Sequence, residues 1–173
     1  SVTIDSVEKV MLHPNLHGMK PRISNLAVLK LRESIIYSQF VYPICLLGAD
    51  KNYENLNKLQ MYAVGYGVDD SGSVSILRKH VSMYYQDEII CKRFYRKAFQ
   101  SSQSPFFCAR GNGFETACKH DKPIFVKFND RWNLRGMSSM FKIFRNNTCS
   151  VRAPVLYEDI IPYIGWIQQA LLL

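Results

Sequence analysis

The stretch Ala117-Cys118-Lys119-His120-Asp121-Lys122-Pro123-Ile124-Phe125 sets a thiol, an imidazole and a carboxylate within four positions, flanked by lysines and followed by an apolar run. That composition is one of an active-site rim. It raises the question of whether these groups perform chemistry or keep only the outline of a site. Other groups of reactive residues are poorer. His13 and His17 stand four apart, but Pro14 intervenes and no carboxylate or cysteine accompanies them, so they read as loop residues rather than metal ligands. None of the five cysteines, Cys45, Cys91, Cys108, Cys118 and Cys149, forms a Cys-x-x-Cys pair. A zinc ribbon or thioredoxin-type site is therefore not expected, and neither a metal nor another cofactor is called for.

An odd cysteine count at wide spacing points to two disulfides and one leftover thiol, and so to an oxidising compartment. Asn146-Asn147-Thr148 is a glycosylation acceptor triplet, with Asn146 the candidate site. The 173 residues are 47% hydrophobic and 13% aromatic, enough for a core of ordinary size. The formal charge of +8, from 22 basic against 14 acidic residues, favours anionic partners. No apolar run approaches the ~20 residues that cross a bilayer. The opening residues lack a basic cluster followed by an apolar core, so no signal peptide is expected in this sequence; a mature, processed or fragmentary chain fits.

Short strands separated by turn residues must position these groups. Strands are expected at 25–31, 61–67 and 76–85, the last preceded by the loop 69–73. The segments 124–128 and 132–140 flank Asn129-Asp130-Arg131 and read as a hairpin. This pattern argues for an all-β sandwich or barrel. Two segments depart from it. Residues 87–99 begin acidic and end basic, as a short helix prefers. At the end of the chain Ile160, Ile164, Ile167 and Leu171 recur at helical spacing, with Pro162 suited to a first turn, so a helix is expected to dock there. The interval 48–60 is polar and reads as a linker between subdomains.

The segments VEKVMLHPNL, SNLAVLKL, VYPICLL, YAVGYG, ILRKHVSMYY, CKRFY, FFCARG, ACKHDKP, WNLRGMSS and APVLYEDIIPYIGWI occur in an order that resembles the trypsin-like (chymotrypsin-fold, S1 family) serine protease domain, from about Val7 to Leu173. The resemblance implies a double β-barrel with the first barrel incomplete, a short intermediate helix and a C-terminal helix. The expected organisation is a partial first barrel at 1–50, a linker at 51–60, a second barrel at 61–159 and the helix at 160–173, all one domain. It also implies disulfides Cys91–Cys108 and Cys118–Cys149. Cys45 falls where such proteins often tether another segment, so it is expected to be unpaired or linked to another chain. The half-positions of a further family disulfide fall at Met61 and Val126, so packing is expected to replace that bridge.

The chemistry of this family needs a serine nucleophile, a histidine base, an aspartate that orients the base, backbone oxyanion donors and a side-chain pocket. The family motif Gly-Asp-Ser-Gly-Gly-Pro is replaced by the shorter His120-Asp121-Lys122-Pro123. Lys122 falls at or beside the serine position, and an ammonium near its ordinary pKa of ~10.4 is no nucleophile at neutral pH. His120 replaces a glycine whose backbone freedom aims the oxyanion amides. Asp121 matches the motif's aspartate and is expected to be exposed or paired with a lysine. Asn25 stands where the orienting aspartate belongs and cannot supply its charge. The histidine base would precede residue 1. Thr116 occupies the pocket floor, and the small wall positions hold Phe141 and Val155, which leave no room for a substrate side chain.

The resemblance thus implies a pseudoprotease that acts by binding, as cofactor, scaffold or decoy in an extracellular proteolytic cascade. Clip-domain homologues of arthropod immunity are the kind of relative it indicates. Its partner would be a protease, zymogen or substrate of that cascade, with a covalently linked chain at Cys45 in view and nucleic acid not expected. A secreted protein binding heparin-like polyanionic glycan or membrane surfaces is the alternative, with Lys92, Arg93, Arg96 and Lys97 the anion-binding candidates. A second alternative is a serine hydrolase completed by another chain, attacking through Ser138 or Ser139.

Overall fold

The computed structural model describes residues 6–16, 26–48, 55–68, 74–100, 104–112, 123–140 and 152–172. Its strands are β1 (Val7–Leu12), β2 (Ala27–Leu31), β3 (Cys45–Leu46), β4 (Met61–Val68), β5 (Val74–Gln86), β6 (Phe106–Gly111), β7 (Pro123–Phe128), β8 (Arg131–Met140) and β9 (Val155–Asp159). Two α-helices accompany them, α1 (Glu88–Tyr95) and α2 (Ile164–Ala170).

Strands β8, β7, β4, β5, β6 and β9 pair in that order, and β9 returns to β8, closing a barrel of six strands. Closure leaves no edge within this circuit and encloses a core. Met61, Ala63, Val81, Met83, Phe107, Ala109, Ile124, Val126, Val155 and Tyr157 fill it, each 7% exposed or less. Burying each of the larger apolar side chains contributes about 1.5–3 kcal/mol. The hairpin between β7 and β8 turns on Asn129 and Asp130, at φ 50° and 58°, the two positive dihedrals a two-residue turn requires. Asn133, buried in β8, donates from its side-chain amide to the carbonyls of Arg131 at 2.8 Å and Phe128 at 3.4 Å, which holds the turn.

Strands β1 and β2 form a separate antiparallel two-stranded sheet. The polar interval is less free than its composition implies. Leu56, in a 3-10 turn at Leu56–Lys58, is buried at 2% exposure.

Both helices are shorter than the segments expected from sequence. Helix α1 gives way to a 3-10 turn at Arg96–Phe99. A 3-10 turn at Ile161–Tyr163, carrying Pro162, precedes α2. Ile160 and Ile164 are buried as expected, but Leu171 is 69% exposed and Ala170 is buried in its place. The 3-10 turn runs at three residues per turn, so Ile160 does not continue the ladder of α2. From Ile164 the docked face runs through Ile167 and Ala170, and Leu171 lies beyond the last turn.

Met61 and Val126 are direct cross-strand partners of β4 and β7, both at 1% exposure or less. Facing residues in such a pair have Cα atoms roughly 4.5–5.5 Å apart, within the span of a disulfide. The double substitution Met61→Cys with Val126→Cys is expected to oxidise spontaneously and to raise stability by about 2–4 kcal/mol. Denaturant unfolding with and without reductant reads that gain. Two free thiols after exposure to air would contradict the register.

Candidate functional site

The sequence places the candidate site on the loop that joins β6 to β7 and on the facing ends of β8 and β9. Asn25, Thr116, Cys118, His120, Asp121, Lys122, Phe141, Asn146 and Cys149 lie outside the described residues. The expectations about the degenerate triad positions, the Asp121 environment, the second disulfide and the glycosylation site therefore rest on sequence.

The described walls are the strand ends. Ser138 pairs with Tyr157 and Met140 with Leu156, with a register shift between Ser138 and Met140. Both Ser138 and Ser139 are half-buried, and Met140 is exposed. Val155, one of the expected pocket positions, begins β9, pairs with Ala109 and packs into the barrel core at 2% exposure. Two positions on, Tyr157 is fully buried and stacks on Phe107, with ring centroids 5.6 Å apart. Burial pushes its phenol well above the ordinary value, with the nearby Tyr95 adding to the effect. Its hydroxyl has no hydrogen-bond partner among the described residues.

Sequence reasoning did not find the charges beside this wall. Arg135 of β8 is 6% exposed, ion-paired with Asp159 of β9, and lies over the Phe107 ring at 4.5 Å. Asp159 also accepts from the Ile161 backbone N–H at 3.0 Å, so one carboxylate both neutralises the arginine and starts the turn that leads into α2. A buried pair of this kind brings little net stability, but losing one partner typically costs about 3–5 kcal/mol. An arginine between Leu134 and the Gly136-Met137 step was the available signal. Its partner lies 24 residues away, which local patterns do not identify.

Cys91 of α1 is bonded to Cys108 of β6, with Cα atoms 5.7 Å apart, as the resemblance implied. Tyr95, on the same helix, donates its hydroxyl to the Pro154 carbonyl at 2.6 Å. Burial pushes that phenol up to about 12. Cys45, half-buried at the start of β3, is a free thiol among the described residues. Lys92, Arg93, Arg96 and Lys97 are all exposed. Among the described residues no group of three or more His, Cys, Asp or Glu side chains is arranged to hold a metal ion. No described helix is long and apolar enough to cross a membrane.

His13, just after β1, packs against the C-terminal segment. Tyr163 and Trp166 meet its ring edge-on, with centroids 4.9 Å and 4.8 Å away. Its Nδ1 accepts from the Asn15 N–H at 3.3 Å. Desolvation lowers its pKa below the ordinary value of about 6.5, against a smaller opposing pull from Glu158. Because the native state disfavours the imidazolium, the unfolded chain takes up the proton first as pH falls. The contribution of His13 is complete above its ordinary pKa and is lost as pH drops through 6.5 towards the lowered native value. Unfolding midpoints of the parent and of His13→Gln, compared between pH 7.5 and 5.5, are expected to converge on acidification. A constant difference across that range would contradict the docking role.

A family model described as Trypsin matches residues 3–167. The CLIP domain-containing serine protease B9 of Anopheles gambiae is 26% identical over 165 residues, which cover 94% of this chain and 39% of that protein. Serine protease grass of Drosophila melanogaster is 26% identical over 167 residues, covering 93% and 43%. Haptoglobin-related protein of Homo sapiens is 24% identical over 184 residues, covering 95% and 49%. The chain spans less than half the length of these relatives. Its closed barrel, the Cys91–Cys108 bridge, the facing Met61 and Val126, and the match along nearly its whole length have one common explanation: the chain belongs to the trypsin family.

Proposed function

We propose that this chain is a non-catalytic trypsin-family protein that acts by binding, as cofactor, scaffold or decoy in an extracellular proteolytic cascade. The observation that carries the reading is the His120-Asp121-Lys122-Pro123 stretch, which holds no serine where the family's nucleophile and oxyanion loop belong. Val155 supports it, because a side chain at a position the family keeps small contributes to the barrel core instead of lining an open pocket. Asn25 adds the loss of the orienting charge. Ser138 and Ser139 lie in β8, and the first of them already has a partner, which weighs against either as nucleophile.

Binding has a candidate surface. Val10 and Leu12 on β1, Leu29 on β2, and Ile36, Tyr37, Phe40 and Tyr42 beyond it are between 44% and 88% exposed. Apolar surface of that extent marks an interaction face. A protein partner is the expected occupant, and the free Cys45 is the candidate for a covalent link to it. A native disulfide and the relatives' family support an extracellular setting.

Intact mass after incubation with a fluorophosphonate probe tests the reading. The expected result is no adduct on the native protein, and a covalent partner removed by reductant if Cys45 is so linked. One phosphonate per chain on any serine would overturn it.

A further inference from the structure

A small cavity of about 80 Å³ lies between the end of β5, helix α1 and β6, where the Cys91–Cys108 bridge ties the helix to the strand. Tyr85, Gln86, Glu88, Phe99, Ser104 and Phe106 line it, and each keeps some exposure to solvent. Val155, the one expected pocket position with a described environment, does not line it. Sites for cofactors and drug-sized ligands measure roughly 300–1,000 Å³, while a water takes up about 30 Å³. This cavity therefore has room for the head group of one side chain and not for a whole ligand of that size.

The polar side chains of the lining are left almost entirely as acceptors. Gln86 donates from its side-chain nitrogen to the carbonyls of Tyr84 at 3.2 Å and Tyr85 at 2.9 Å, which commits both amide protons and leaves Oε1 to accept. Ser104 donates its one proton to the Ala98 carbonyl at 2.8 Å, so its oxygen offers only lone pairs. Glu88 is a carboxylate; Lys92, one turn on, pairs with Oε1, and a carboxylate has further lone pairs to offer. Among these side chains only the Tyr85 hydroxyl still has a proton to donate, and it can accept as well. Desolvation raises that phenol above its ordinary value, and Asp87, Glu88 and Asp159 add to the rise against an opposing pull from Arg135. Carboxylates thus outweigh cations here, on a chain whose formal charge is +8.

We propose that this cavity receives the guanidinium of an arginine side chain carried by a protein partner. A guanidinium has five donors and no acceptor, which matches a lining rich in lone pairs and poor in protons. A phosphate, sulfate or carboxylate would meet lone pairs and the Glu88 charge, so the same lining rejects anions. The rings of Tyr85, Phe99 and Phe106 share the cavity with the acceptors, and a planar guanidinium stacks on aromatic faces where a compact ammonium remains hydrated. Among the described residues no group of three His, Cys, Asp or Glu side chains is arranged to hold a metal ion in its place. Arginine is also among the residues that anchor protein–protein interfaces, and the disulfide between two of the walls means the cavity is formed before a partner arrives.

This inference stands apart from the proposed function, since a chain labelled by the phosphonate probe would keep the cavity. The test is titration of the whole isotope-labelled chain with Nα-acetyl-arginine amide, read from backbone amide shifts. Saturable shifts at Tyr85, Gln86 and Phe106 are expected, with a Kd on the order of millimolar for so small a probe. Nα-acetyl-citrulline amide, which keeps the shape and loses the charge, is expected to bind about fivefold more weakly or worse. Glu88→Gln is expected to weaken arginine binding about fivefold and Tyr85→Phe about twofold. Glu33→Gln removes an exposed carboxylate that does not line the cavity and is expected to leave binding unchanged. Unfolding midpoints confirm that each variant is folded, and Tyr85→Phe carries the test should Glu88→Gln fail to fold. Absence of shifts at the lining residues, equal binding of the citrulline or of Nα-acetyl-lysine amide, or equal weakening by Glu33→Gln would each overturn the proposal.

Discussion

Strand β8 reaches strand β9 because residue 136 carries no side chain. A Cβ at Gly136 would stand 2.6 Å from the Glu158 carbonyl oxygen and 3.0 Å from the Phe107 ring. Backbone cannot yield at such a distance without parting the strands. The rest of the structure follows from that approach. The pairing of β8 with β9 turns a curved sheet into a closed barrel, and closure is what gives ten side chains a common interior. It also places Arg135 next to Asp159, and through Asp159 it fixes where the chain turns towards α2. Phe107 is common to these features: it abuts the glycine, stacks on Tyr157 and lies beneath the arginine.

A barrel held together in this way does not need its chemistry. The contacts that close it are backbone pairing, apolar packing and one buried ion pair, and none uses a nucleophile, a base or an oxyanion loop. Such a barrel keeps its form whatever residues stand at the reactive positions, provided Gly136 and the core are kept. Met61 and Val126 are direct partners across β4 and β7. Two apolar side chains face each other there at a place where the family resemblance calls for a disulfide.

Much of the barrel was legible in the sequence because it is written locally. β-branched and aromatic runs ending in turn residues located β4, β5, β7 and β8, and Asn129-Asp130-Arg131 between two such runs marked the hairpin, which turns on the first two while Arg131 already begins β8. The bridge between Cys91 and Cys108 could not be derived from spacing and came from resemblance alone. What stayed hidden depends on partners distant in sequence. Arg135 reads as an intrusion until Asp159 is placed beside it, and Asn133 reads as an ordinary polar residue until its amide is seen to hold the turn. The end of α2 was misjudged because the helix closes at Ala170 and leaves Leu171 as its C-cap, so Leu171 was counted with a face it does not join. At the site itself, residue identities at 25, 116, 120–122 and 141 were legible, while Val155 alone among the expected pocket positions has a described environment, inside the core.

The proposed role keeps the fold for contact without catalysis. Turnover of peptidyl thiobenzyl esters measures it most directly, because a good leaving group exposes even a weak acyl-transfer site. Across substrates with basic, aromatic and small side chains before the scissile bond, rates equal to those in buffer are expected. Saturable hydrolysis that a serine-directed inhibitor abolishes would contradict it.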